Sequence, residues 1–221
     1  MLVTGIPAGM FQTNCYILAH GRLGGVRRRR SGQDAAEPLM QFLAQSELEP
    51  KAVLLTHGHL DHTWSVHPVC EHYGIPAYIH PDDRYMLTDP GRGIGPSMNQ
   101  FIAGVEFLEP DEVIELADGD EFTVAGIDLV VDHTPGHTQG SVVLRTEIAT
   151  EEGPLQVALT GDTLFQGSIG RSDLPAATTS SCCSRSRGSC WCSTTPPRSC
   201  PGTGARARSA RNARPTRSSL D

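Results

Sequence analysis

Apolar residues in this chain recur mostly in short alternating or continuous runs, with helical spacing confined to a few stretches between them. Residues 2–19 predict two short strands around a Gly-Met turn, the second ending in Asn14-Cys15-Tyr16-Ile17-Leu18. Residues 33–46 place Ala36, Leu39, Met40, Phe42 and Leu43 at helical spacing. Within 51–56, Ala52-Val53-Leu54-Leu55 is a continuous apolar run that suits a strand covered on both faces. Residues 61–73 predict a helix, and 75–79 a strand that stops at His80-Pro81. Residues 88–100 are rich in Gly and Pro and predict a loop bordering a site. From 111 onward the pattern is β. Segments 113–116, 121–125 and 127–131, with a turn at Asp118-Gly119, predict a meander, and 141–144 and 156–159 add two more strands. Strands with helices between them, and polar residues clustered just past strand ends, predict an α/β sandwich.

Two stretches break this pattern. Residues 27–30 are four arginines where an interior strand is expected, and from Ala176 the chain is Ser, Arg, Cys, Thr and Pro with Trp191 and Leu220 its only large apolar residues. The net charge of -7 conceals the same division. Residues 176–221 hold eight arginines and one acid, Asp221, which leaves 10 basic and 24 acidic residues upstream, or -14 for the body and +7 for the tail. Such a tail buries too little surface to fold and is expected to be disordered. A basic tail can bind nucleic acid, but the genetic code offers a better account. Read one base later, codons for Arg-Arg-Arg-Arg-Ser can spell Val-Val-Val-Asp, a buried strand ending in an acid. In its other shifted frame, the tail can read Leu-Pro-Gly-His-Gly over 199–204. The expectation is a folded domain over 1–175, disrupted at 21–31, with a frameshifted tail over 176–221 and no nucleic-acid partner.

Of the seven cysteines, Cys15 and Cys70 lie in the body and five in the tail. The opening Met-Leu-Val-Thr-Gly-Ile-Pro has no basic segment before an apolar one, and no run approaches the roughly 18 apolar residues of a membrane span. A cytoplasmic protein without disulfides or a membrane partner is expected, with Cys15 and Cys70 as buried small groups.

Chemistry concentrates in Thr56-His57-Gly58-His59-Leu60-Asp61-His62. His57 and His59 are two apart, so on extended backbone their side chains point to one side. Asp61 and His62 follow as the chain turns into a helix, which suits a second position nearby. Imidazole nitrogen and carboxylate oxygen are zinc-type ligands, and a structural zinc would more often be closed by cysteines. His137 follows the strand at 127–131 in Thr134-Pro135-Gly136-His137-Thr138. Asp162 follows 156–159 in Thr160-Gly161-Asp162-Thr163, and its two oxygens can bridge two ions. Asp132 and His133 are expected to support the site or the strand end, and His20, His67, His72 and His80 to be surface or packing residues.

The motif from His57 to His62, the turn Gly136-His137-Thr138, Gly161-Asp162-Thr163-Leu164-Phe165 and Gly170-Arg171-x-Asp173 closely resemble the metallo-β-lactamase superfamily, and within it the glyoxalase II branch. The resemblance covers 1 to about 175 and implies an αββα sandwich. It implies that His57, His59 and His137 hold a first metal, that Asp61 and His62 hold a second, and that Asp162 bridges them. Two zinc ions per site are expected, with iron an option. Arg171 and Asp173 are expected to be structural or to support the ligands. The family closes its second site with a histidine in a Pro-Gly-His-Gly turn, where this chain has Pro201-Gly202-Thr203-Gly204.

The implied reaction is hydrolysis of a small-molecule acyl thioester. Metal lowers the pKa of bound water from 15.7 to about 7, and Asp61 would orient the resulting hydroxide. Two rivals remain open. One is a mono-iron persulfide dioxygenase using His57, His137 and Asp162 as its two histidines and carboxylate. The other is a degenerate relative that binds metal without catalysis.

Overall fold

The computed structural model describes residues 2–8, 13–19, 36–95, 99–150, 152–165, 168–171, 173, 177 and 198–201. The arginine run at 27–30, His20 and Thr203 lie outside them. β1 (Leu2–Ala8) and β2 (Thr13–Ala19) pair antiparallel, with Leu2 opposite Ala19. After α1 (Ala36–Gln45), three short strands form a parallel sheet: β3 (Val53–Leu54), β4 (Ala77–Ile79) and β5 (Val113–Glu115). Parallel neighbours need long crossovers. The first is built from α2 (Leu60–Thr63) and α3 (Val66–Tyr73), so the helix predicted over 61–73 is broken at Trp64-Ser65. α3 stops at Gly74, whose φ of 62° places it in the left-handed cap that favours glycine. The second crossover carries α4 (Pro81–Arg84) and 3-10 turns at Tyr85–Leu87, Pro90–Arg92 and Asn99–Phe101, the last two overlapping the Gly- and Pro-rich stretch 88–100 predicted as loop.

The placement of β5 corrects the predicted meander. It pairs with β4 in the first sheet, and the turn at Asp118-Gly119 carries the chain across to the second. Alternation along 113–116 marks a strand but says nothing of its partner. That is settled by a crossover of more than thirty residues, which local pattern does not encode.

In the second sheet β6 (Glu121–Val124), β7 (Ile127–His133), β8 (Val142–Thr150) and β9 (Gly153–Gly161) run antiparallel in sequence order. A small hairpin follows, β10 (Leu164–Phe165) with β11 (Ser168–Ile169). β12 (Arg198–Pro201) then lies parallel beside β9, with Arg198 opposite Val157 and Pro201 opposite Gly161. These four residues are the part of the tail with a described strand; the rest of the tail expected to be disordered lies outside the described residues, apart from Ala177. The edge of β9 offers unpaired N–H and C=O groups, and a backbone ladder can form on them with little demand on side chains.

Ile127, Leu129 and Val131 are buried on one face of β7, and with Leu116, Val142, Leu144 and Leu159 they form one core cluster. Leu54 and Tyr78 of the first sheet pack on that cluster, so the two sheets meet face to face. A second cluster joins Leu55, Ala77 and Ile79 to Val66 and Cys70 of α3, which covers the outer face of the first sheet. α1 packs against α3. The helix–sheet–sheet layering among the described residues is that of the expected sandwich. Truncating a residue such as Leu129 to alanine should cost about 2–5 kcal/mol. No helix among the described residues is long and apolar enough to cross a membrane. Cys15 and Cys70 are free thiols, and burial pushes both up to about 11, as befits packing groups.

Candidate metal centre

The residues predicted as ligands come from three loops and the first turn of α2, at one edge of the two sheets. β3 runs out into Thr56, whose carbonyl accepts from the Val142 N–H at 2.8 Å and so ties the histidine loop to β8. His59 stands before α2, and the His62 and Thr63 amides close the first turn on its carbonyl. That turn carries His62 back beside His57, with ring centroids 4.0 Å apart. His137 comes from the turn between β7 and β8, and its ring lies 4.5 Å from that of His59 and 4.8 Å from that of His57. Asp162 follows Gly161, the last residue of β9. Gly161 has φ 49°, and a Cβ there would strike Thr56 Oγ1 and come within 3.4 Å of His57 Nδ1. A glycine is required for the strand end to approach this closely.

Two groups of donor atoms result. His57, His59 and His137 form one, and His57, His62 and Asp162 the other. His59 Nδ1 lies 2.8 Å from His137 Nε2. His137 Nδ1–H donates to the Arg171 carbonyl at 2.7 Å, which leaves Nε2 as the lone-pair atom facing the pocket. His57 Nδ1 is 3.2 Å from Thr56 Oγ1, and its other nitrogen, Nε2, is buried without a hydrogen-bond partner. Nitrogen ligands of a tetrahedral ion stand about 3.3 Å apart, given bonds of about 2.0–2.1 Å. Asp162 lies between the groups: its Oδ1 is 3.4 Å from His62 Nε2 in the second, and its Oδ2 is 3.8 Å from His137 Nε2 in the first. Asp61 Oδ2 lies 3.5 Å from His62 Nε2. All six predicted residues are therefore brought together.

Their electrostatics differ. Burial, reinforced by the neighbouring imidazoles, pushes His57 well below its ordinary value and His59 down to about 3. Both are neutral lone-pair donors at pH 7. Burial also lowers His62, but its hydrogen bond to Asp162 and the charges of Asp61 and Asp162 outweigh that and raise it. Buried neutral imidazoles, an Nε2 without a partner and a carboxylate between the groups are the donor set that a borderline divalent cation takes.

Other residues support this arrangement. Thr13 of β2 donates from Oγ1 to Asp61 Oδ2 at 2.8 Å, a contact spanning 48 positions that sequence reasoning missed. Thr134 and Thr163 hydroxyls meet at 3.2 Å and join the His137 turn to the Asp162 loop. Arg171 serves through its carbonyl on His137, while its guanidinium pairs with Asp173 at the surface. Asp132 pairs with Arg145 across β7 and β8, as expected of a strand-end support. His80 caps α4, accepting from the Asp82 amide at 3.2 Å, and stacks on His133 at 4.0 Å.

The profile of the metallo-beta-lactamase superfamily matches residues 30–221. An uncharacterized protein of Mycobacterium leprae is 50% identical over 175 residues, 79% of this chain and 78% of its own length. The hydroxyacylglutathione hydrolase GloC of Haemophilus influenzae is 33% identical over 175 residues, 77% of this chain and 75% of its own. Among solved structures, the BLEG-1 B3 metallo-beta-lactamase has a TM-score of 0.73 at 30% identity, covering 92% of each chain. TTHA1623 in a di-iron-bound form has a TM-score of 0.66 at 28% identity, covering 92% of this chain and 93% of its own.

Proposed function

The chain belongs to the metallo-beta-lactamase superfamily, and from that premise we propose that it is a metal-dependent thioester hydrolase of the glyoxalase II type. The observation that carries this reading is Asp162, whose two oxygens lie 3.4 Å from His62 Nε2 and 3.8 Å from His137 Nε2, between the two donor groups. His57, His59 and His137 are assigned to a first metal, Asp61 and His62 to a second, and Asp162 to both. Zinc suits the imidazole-rich set, with iron as the competitor. When bound, the metals supply an activated water and polarise the acyl carbonyl. The protein's own contribution is positional. Neutral His57 and His59 present lone pairs, the Arg171 carbonyl fixes the His137 tautomer, and Thr13 holds Asp61 to orient the attacking water. A thiolate leaves readily, so no general acid is called for. The similarity to GloC supports an acyl-glutathione or another small acyl thioester as substrate.

The test is thiol release from an acyl-glutathione thioester by the metal-loaded chain, with metal content measured on the same sample. Release that is lost on chelation and restored by zinc is expected. A single iron with oxygen uptake and no thioester cleavage would replace this reading with the dioxygenase one.

The domain over 1–175 is assigned as the folding unit, with residues 27–30 and the tail as products of shifted reading frames. An apolar cleft of about 770 Å³ supports this, lined by β2 and β3 together with Leu39, Leu43 and Val66. Among the described residues β2 pairs with β1 and β3 with β4, and both line that space. A Val-Val-Val-Asp strand suits that space and four arginines do not. At the other end, Pro201 stands opposite Gly161, which brings the chain beside Asp162 two residues before Thr203. The encoding DNA decides the matter: codons that cannot yield these alternatives end the idea.

A further inference from the structure

Asp83 is fully buried, is no part of the six-residue donor set, and joins the two loops that carry the imidazoles. Its Oδ2 accepts from the Gly58 amide at 2.9 Å, between His57 and His59. The same oxygen accepts from Thr138 Oγ1 at 2.6 Å, and Oδ1 accepts from the Gly140 amide at 2.8 Å, both in the turn that carries His137. Thr138 is itself fixed by Ser141, whose Oγ accepts from the Thr138 amide at 3.0 Å and lies 2.7 Å from its hydroxyl.

The glycines on either side fit the same design. A Cβ at Gly58 would lie 2.7 Å from the Asp83 carbonyl oxygen, and one at Gly140 would lie 2.6 Å from Asp83 Cγ. Both loops close onto one carboxylate and can do so only where no side chain intervenes. Hydrogen bonds to a carboxylate are stronger than those between neutral groups, and the fully buried setting strengthens them further.

We propose that Asp83 is a positioning residue for the first metal: its carboxylate clamps the His57–His59 loop to the His137 turn, so that the three imidazoles converge before any cation arrives. The clamp touches neither substrate nor metal and acts through the backbone of the ligand loops. It rests on the metal reading of the site, and the test separates the two.

The metal-stripped full chain and its Asp83→Asn and Thr138→Val variants are titrated with Co2+, following the d–d absorption, with thermal melts run in parallel. Asparagine keeps one acceptor oxygen but turns an NH2 toward a donor. Co2+ affinity of folded Asp83→Asn is expected to fall about 10- to 100-fold, with shifted d–d bands, and Thr138→Val should move the same way by less. Wild-type affinity and bands in folded Asp83→Asn overturn the clamp, even if the melting temperature drops. If that variant does not fold, folded Thr138→Val decides by the same criterion. A wild-type chain that takes up no Co2+ overturns the metal reading and the clamp with it.

Discussion

His57, His59 and His137 lie mainly against other imidazoles, with one carboxylate oxygen 3.8 Å from His137, whereas His62 stands between two carboxylates. In the first group burial and mutual repulsion hold His57 and His59 neutral. In the second, Asp61 and Asp162 outweigh burial and keep His62 more basic than usual. The first group is thus short of positive charge and is built from one kind of ligand on loops held by Asp83. The second carries its own negative charge, depends on Thr13 to hold Asp61, and in the family takes a further histidine from a segment where this chain has Thr203. Asp162, between His62 and His137, is the residue assigned to both. The halves should therefore fail separately at their edges and together at their centre.

The largest effect should come from that centre. Asp162→Ala removes the carboxylate assigned to both metals, so metal content should fall to near zero. The lost stabilisation of several kcal/mol would lower kcat/KM on the order of a thousandfold. Metal analysis and thioester kinetics on one preparation check this. His62→Ala should be milder and one-sided. It should leave the first metal in place and lower kcat/KM by about a hundredfold, and a wild-type metal count would remove His62 from the ligand set. Thr13→Val tests the support of the second half alone. One hydrogen bond to a carboxylate is worth about 1 kcal/mol, hence about fivefold in kcat, with metal content unchanged.

The smallest effect is a reference away from both halves. His80 sits below its ordinary value of 6.5, first through burial and then through His133. The folded state therefore binds fewer protons there than the unfolded chain. Its contribution to stability is complete above the unfolded value of 6.5 and is lost as pH falls below it. Melting temperatures measured at about pH 7.5 and about pH 5.5 should drop less for His80→Gln than for the wild type; an equal drop would show that His80 does not titrate in this way.

Much of the fold could be read locally. The buried alternation of β7, the apolar run ending in Thr56 and the positions of all six candidate ligands follow from periodicity and motif spacing. The partner of β5 could not be read so, because a parallel pair is chosen across a long crossover. Nor could β12, since a ladder on the edge of β9 draws on backbone groups that every residue has. Thr13 and Asp83 were missed for a related reason: each meets its partner 25 to 57 positions away, and an isolated threonine or aspartate leaves no local signature.

Donor chemistry is legible from residue order alone, since three histidines and an aspartate at fixed spacing after a strand have few other uses, and so is the charge division that sets the tail apart. The packing of the two sheets settled which imidazoles converge, which nitrogen of His137 bonds the Arg171 carbonyl, and which buried carboxylate brings the loops together. Side-chain type is a property of the residue. Convergence to within a few ångströms is a property of two sheets packed face to face, whose strand ends deliver residues distant in the chain to one edge.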